Sequence, residues 1–131
     1  MTQEHKELLL KDLSARLPYE VKCIVTKSRT EEGQEGDVGK IGWVCLEGAE
    51  CIGNEPFFSE FGNFKPYLFP LSSMTEEQKK EYQYITERWM YDSSYSISDS
   101  IDWLNKNHFD YRDLIPMGLA IAVTKENNPY K

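Results

Sequence analysis

Two prolines four residues apart, Pro66 and Pro70, sit within Lys65-Pro66-Tyr67-Leu68-Phe69-Pro70-Leu71-Ser72-Ser73-Met74-Thr75-Glu76-Glu77-Gln78, and this stretch decides how the chain divides. Each proline keeps the residue before it, Lys65 or Phe69, out of the α region, so the segment runs extended. Immediately beyond, Thr75 reads as a helix N-cap. Glu76 and Glu77 lie where the helix N-terminal partial charge favours carboxylates, and Gln78 closes a capping box. Glycine-containing, strand-patterned sequence precedes the stretch and helix-patterned sequence follows it. The expected fold is α+β: an N-terminal helix, a small antiparallel sheet of three to four strands near residues 19–53 and possibly 119–123, and a helical C-terminal half packed on it.

A length of 131 residues predicts a single domain over 1–131, with a core large enough to need no disulfide staples. Its 40% hydrophobic and 13% aromatic content is that of a folded chain. A formal charge of -7 argues against nucleic acid and against an anionic membrane surface, both of which require a basic footprint. No apolar run approaches the roughly 20 residues that span a bilayer, and an N-terminus carrying Glu4, Glu7 and Asp12 does not resemble a signal peptide. These readings predict a cytoplasmic protein. Three cysteines, Cys23, Cys45 and Cys51, are an odd set without secretory context, so buried reduced thiols are expected rather than disulfides.

Leu9, Leu10, Leu13 and Leu17 recur at helical spacing between a capping Thr2 and Pro18. Tyr19, Val21, Cys23 and Val25 alternate with Glu20, Lys22, Ile24 and Thr26 as in a half-buried strand, and the polar 27–37 stretch reads as a surface loop. Gly39-Lys40 superficially suggests a phosphate loop. The pattern fails, because Gln34 stands where that loop needs Gly and Ile41 where it needs Ser or Thr. Ile41 to Leu46 and Ala49 to Gly53 then form a hairpin about Glu47-Gly48. After the helix opened by Thr75, a second should start near Ser98 and end at Asn107 in a left-handed cap, with Asp110 capping a further turn stopped by Gly118. Leu119 to Val123 is a short edge-strand candidate.

Candidate chemistry is sparse. Cys23, Cys45, Cys51 and His108 can be written as four zinc ligands, but no Cys-x-x-Cys spacing supports them, and no metal or cofactor is expected. His108 with Asp110 and Asp102, served by one of the cysteines, is the best enzymatic set, by analogy with thiol hydrolases. The pairs Asp99/Asp102 and Asp110/Asp113 have the i, i+3 spacing of one helical face, and capping explains Asp99 and Asp110 more simply than catalysis. The strongest compositional feature is the aromatic run Phe57, Phe58, Phe61, Phe64, Tyr67 and Phe69, read either as core or as an exposed ridge that docks another protein. Binding through those six residues is the leading reading. The alternatives are a small thiol/histidine hydrolase-like enzyme and an acidic inhibitor that mimics nucleic acid.

The stretch from Lys65 to Gln78, taken with Ser100-Ile101-Asp102-Trp103-Leu104-Asn105-Lys106-Asn107-His108-Phe109-Asp110-Tyr111-Arg112-Asp113-Leu114-Ile115-Pro116-Met117-Gly118-Leu119-Ala120, resembles an uncharacterised family of small proteins of gut Bacteroidales and their phages or integrated elements. Ala15-Arg16-Leu17-Pro18-Tyr19 adds to the likeness, while Phe69 and Asp113 replace an arginine and a glycine common in that family. The resemblance implies an intracellular accessory protein of a mobile-element gene set. It implies no reaction, ligand or catalytic residue.

Overall fold

A computed structural model of the chain describes residues 1–27, 35–53, 56–88, 90–92 and 96–130, without the side chain of Phe57. Most of the expected 27–37 loop, and residues 93–95 of the serine-rich connection between the two expected helices, lie outside the described residues.

Helix α1 (Gln3–Arg16) begins where Thr2 Oγ1 accepts a hydrogen bond from the His5 amide at 3.1 Å. Its Leu9 and Leu13 are buried, each such side chain stabilising the fold by about 1.5–3 kcal/mol. Pro18 converts its end into a single 3-10 turn, Leu17–Tyr19. Five strands follow: β1 (Lys22–Val25), β2 (Val38–Val44), β3 (Gly48–Ile52), β4 (Pro56–Glu60) and β5 (Phe64–Pro70). Helices α2 (Glu76–Arg88) and α3 (Ile97–Lys106) and the short strands β6 (Phe109–Asp110) and β7 (Ile121–Ala122) complete the order. The sheet runs β4-β3-β2-β1-β5-β6, with β7 also paired to β5. Strands β1 to β5 pair antiparallel, whereas β6 and β7 lie parallel to β5.

The α+β class and N-terminal helix are as expected, but the sheet is mixed and seven-stranded rather than an antiparallel sheet of three to four strands. Two of the additional strands come from the aromatic stretch itself. Proline argues against an interior strand, yet β5 tolerates Pro66. The Thr26 amide bonds Asn63 O at 2.8 Å, and the alternation of an antiparallel ladder then turns the Pro66 nitrogen away from β1. The missing N–H therefore costs no bond to that neighbour. Strand β7 falls inside the expected 119–123 edge strand, whereas β6, two residues long, is too short to show any periodicity.

The hairpin between β2 and β3 also shifts by one residue. Cys45 N–H bonds Gly48 O at 2.9 Å, so the connecting pair is Leu46-Glu47 and Gly48 opens β3. Glycine is needed there because a Cβ would collide with Ser59 O of β4. The capping box that opens α2 is formed as read: Thr75 N–H donates to Gln78 Oε1 and Gln78 N–H to Thr75 Oγ1, at 2.9 and 3.1 Å. Helix α3 starts with Ser96 and Asp99 in a second capping box. At its end the left-handed residue is His108, φ 62°, not Asn107.

One sheet face packs on α1 and on the turn containing Leu114, Leu119 and Ala120, burying Val21, Cys23, Val25, Ile41, Cys51 and Phe64. A second cluster joins the α2–α3 pair to the β6 end of the sheet, where Trp103 stacks on Phe109 at 5.7 Å and donates its indole N–H to Glu81 at 2.9 Å. No helix among the described residues is long and apolar enough to cross a membrane.

Candidate functional site

The other face of β2, β3 and β4 is the one that carries exposed rings. Residues directly opposite in a ladder share a face, so the register Trp43↔Glu50↔Phe58 places those three in one row. The register shifts between Ile41 and Trp43, which absorbs Gly42 as an extra residue and returns Trp43 to the side of Lys40. A Cβ on Gly42 would lie 2.7 Å from Ile52 Cδ1 and 2.8 Å from Glu50 Oε1, so glycine lets both side chains close in beside Trp43. Trp43 and Phe58 stack at 5.9 Å and 25°, yet remain 44% and 43% exposed, and Val38 joins them at the surface. Lys22, Lys40 and Lys65 occupy the same face by register, and Lys40 meets Glu20 at 3.5 Å in an exposed pair of little energetic weight.

This redistributes the expected aromatic ridge. Phe61, Phe64 and Tyr67 are buried, and Phe69 is half-buried against Phe109 and Tyr130, both at 5.9 Å. Phe58 alone among the described rings of that run faces solvent to a large extent, and the Phe57 ring lies outside the described residues. Strand alternation explains the division: Phe64 and Leu68 take the covered face of β5, while Phe58 takes the open face of β4. Trp43 escaped the sequence reading because the bulge at Gly42 breaks the period-two pattern that would have assigned its side. The one available hint was a tryptophan between Gly42 and a hairpin turn.

His108 does not join an acid-base set. Its ring lies 4.0 Å from that of Tyr130 at 13°, and its Nδ1 is enclosed without a hydrogen-bond partner. Burial, reinforced by the charges of Arg16 and Lys22, lowers its pKa to about 4, so it is neutral at pH 7. Asp110 turns inward, accepting from the amides of Arg112, Leu114 and Ile115 at 3.3, 3.0 and 2.9 Å, which is the capping role expected of it. Asp99 likewise bonds the Ser96 amide at 2.7 Å, while Asp102 is exposed. Tyr130 turns its hydroxyl elsewhere, accepting from the Lys22 amide at 3.0 Å and donating to Tyr67 O at 2.6 Å. That is where the next β1–β5 ladder bond would fall.

Cys23 and Cys51 are buried side by side beneath the sheet, and Cys45 is half-buried. The hydrogen bond to Cys23, together with burial, holds the Cys51 thiol well above its ordinary pKa and therefore protonated. Strands β1 and β3 are separated by β2, where Cys23 stands opposite Gly39 and Cys51 opposite Ile41, so the two cysteines are not cross-strand neighbours. All three thiols are free, as the cysteine count suggested.

A second heavily bonded carboxylate, Asp12, was not anticipated. Asp12, fully buried, accepts from Arg16 Nε at 2.8 Å, Arg16 Nη2 at 3.2 Å and Arg112 Nη1 at 2.9 Å. Arg16 Nη2 also donates to Phe109 O at 2.7 Å. Both guanidinium groups lie over the Tyr111 ring, at 5.2 and 4.7 Å, and Tyr111 donates its hydroxyl to Asn105 Oδ1 at 2.7 Å. In sequence, Asp12 and Arg16 at i, i+4 look like an ordinary solvated helix pair, so only the partner 100 residues away reveals the burial. The network ties α1 to the segment after α3 and leaves no carboxylate open to a ligand. Among the described residues, no group of three or more His, Cys, Asp or Glu side chains is placed to hold a metal. The depression of about 360 Å³ beside Phe69, lined also by Ser73, Val123, Thr124, Lys125 and Asn128, contains no acid, imidazole or thiol. Comparison with protein-family models, with curated proteins and with solved structures finds no match.

Proposed function

We propose that this chain is a small non-enzymatic docking protein, an accessory of a phage or mobile element, whose contact surface is the open sheet face centred on Trp43 and Phe58. One observation carries the reading: two large rings from non-adjacent strands, stacked on each other, stay more than two-fifths exposed on a face that the helices do not cover. Aromatic residues in that setting are the usual anchors of protein interfaces, and leaving them in water forgoes the burial that a core position would give. Glu50 stands between the two rings, and Lys22, Lys40 and Lys65 share the face further from them, so the rings rather than a charge pattern define the contact. The mobile-element context rests on the resemblance of the 65–78 and 100–120 segments.

The test compares wild type with Trp43→Ser/Phe58→Ser as baits for proteins of a Bacteroidales host, quantified by mass spectrometry, followed by titration of the enriched protein. Both baits should show the same far-ultraviolet circular dichroism and melting cooperativity. Affinity for the enriched protein should fall by at least tenfold in the variant. Equal affinity for the two baits would reject this face as the docking surface.

A further inference from the structure

Strand β4 ends the sheet, pairing with β3 on one side and with no strand of the described residues on the other. Its phase can be worked out from two bonds. Phe61 N–H donates to Glu47 O at 3.0 Å, which makes 61/47 a hydrogen-bonded pair of the ladder. Alternation then gives 59/49 and 57/51 the same character and leaves 56/52, 58/50 and 60/48 as pairs whose peptide groups point away from each other. The Cys45 to Gly48 bond gives the same answer independently, since it turns the Gly48 peptide toward β2. Phe58 therefore directs both its N–H and its C=O off the sheet edge, while its ring is exposed on the open face.

We propose that this edge pairs with β4 of a second copy of the chain, antiparallel about a twofold axis through Phe58. In that register Phe58 N–H donates to the second copy's Phe58 C=O and receives the reciprocal bond, so the edge is its own complement in partial charge and position. Pro56 falls opposite Glu60 of the other copy. Glu60 O already accepts from Asn63 N–H at 3.0 Å, and proline has no N–H to place against it. An unrelated strand would bring an N–H to that carbonyl, so the edge fits itself better than it fits a general extended peptide. No like charges oppose each other along the five residues, and the two Phe58 rings become cross-strand neighbours. The Trp43–Phe58 stack of each copy would thus join into a single aromatic row across the dimer. A five-residue seam lies below the size of obligate interfaces, so the association is weak and concentration-dependent. The proposal goes beyond the docking reading and stands without it.

Sedimentation equilibrium between about 10 µM and 1 mM should show the weight-average mass rising from one chain toward two, and hydrogen exchange at the Phe58 amide should slow at least tenfold over the same range. Phe58→Pro removes the outward N–H without removing a bond to β3 and should stay monomeric. Trp43→Ser, which leaves the edge intact, should still dimerise within a few-fold of wild type, so loss of host-protein affinity in Trp43→Ser without loss of dimer separates the two proposals. A chain that remains monomeric at 1 mM, or one that dimerises with concentration-independent exchange at Phe58, would overturn the inference even if Phe58→Pro fails to fold.

Discussion

Replacing Asp12 by Asn keeps the size of the side chain and removes its charge, which isolates the buried network from packing. Asp12 is completely enclosed and accepts three charge-assisted hydrogen bonds, two from Arg16 and one from Arg112. In the variant the Arg16 guanidinium, itself fully buried, keeps its bond to Phe109 O and its place over Tyr111 but has no counter-charge. Breaking a buried pair from one side costs about 3–5 kcal/mol, far more than the pair is worth against apolar replacements. For 131 residues, at about 2.1 cal/mol/K per residue, that loss lowers the melting temperature by roughly 11–18 °C. Urea denaturation at pH 7 measures it directly, and the loss should change little with added salt because the site is closed to ions. The triple variant Asp12→Leu/Arg16→Met/Arg112→Met removes all three charges and should lie within about 1.5 kcal/mol of wild type, a large coupling in a mutant cycle. A loss below about 1 kcal/mol for Asp12→Asn, or additive losses in the cycle, would refute the claim that these charges are sealed together.

Three other outcomes follow from the geometry. Since the folded pKa of His108, about 4, lies below its ordinary 6.5, the unfolded chain binds a proton that the native chain refuses; the His108 contribution is full above pH 6.5, falls as pH drops toward 4, and is level below that. Denaturation of wild type and His108→Leu across pH 3.5–7.5 should show a smaller acid slope in the variant, and identical slopes would contradict the enclosed neutral ring. Ellman's reagent should modify Cys45 first, with Cys23 and Cys51 reacting only on unfolding, whereas three equal rates would show that the sheet does not shield the pair. Tyr130→Phe deletes the hydroxyl between the Lys22 amide and Tyr67 O; it should cost about 1–2 kcal/mol and speed exchange at the Lys22 amide, and unchanged exchange would show that the bridge is not made in solution.

Local chemistry was readable in the sequence at the helix starts, while the hairpin turn and the left-handed residue after α3 each fell one position from the reading. The caps at Thr2, Thr75 and Asp110 and the buried thiols at Cys23 and Cys51 were legible. Features that depend on distant partners were not. The prolines mark 65–70 as extended, but that an interior strand can hold Pro66 follows only from the phase of the β1–β5 ladder, and β6 exists only because β5 offers an edge to a short passing segment. The aromatic run was recognised as unusual, but core and surface rings alternate within it, so composition could not say that Phe64 is enclosed while Phe58 is exposed. Trp43 entered the candidate surface through a one-residue bulge, which is invisible to a period-two reading.

Tyr130 also bears on when the fold can finish. A chain emerging from the ribosome makes β1 early, but the Lys22 amide must wait for a hydroxyl that is synthesised 108 positions later. The Asp12 carboxylate likewise waits for Arg112. Closing contacts of such long sequence separation are slow to find, and until they form the growing chain holds an unfinished sheet. The β1–β5 seam is therefore completed only once residue 130 has been made, and until then the growing chain offers an open seam to chaperones and proteases.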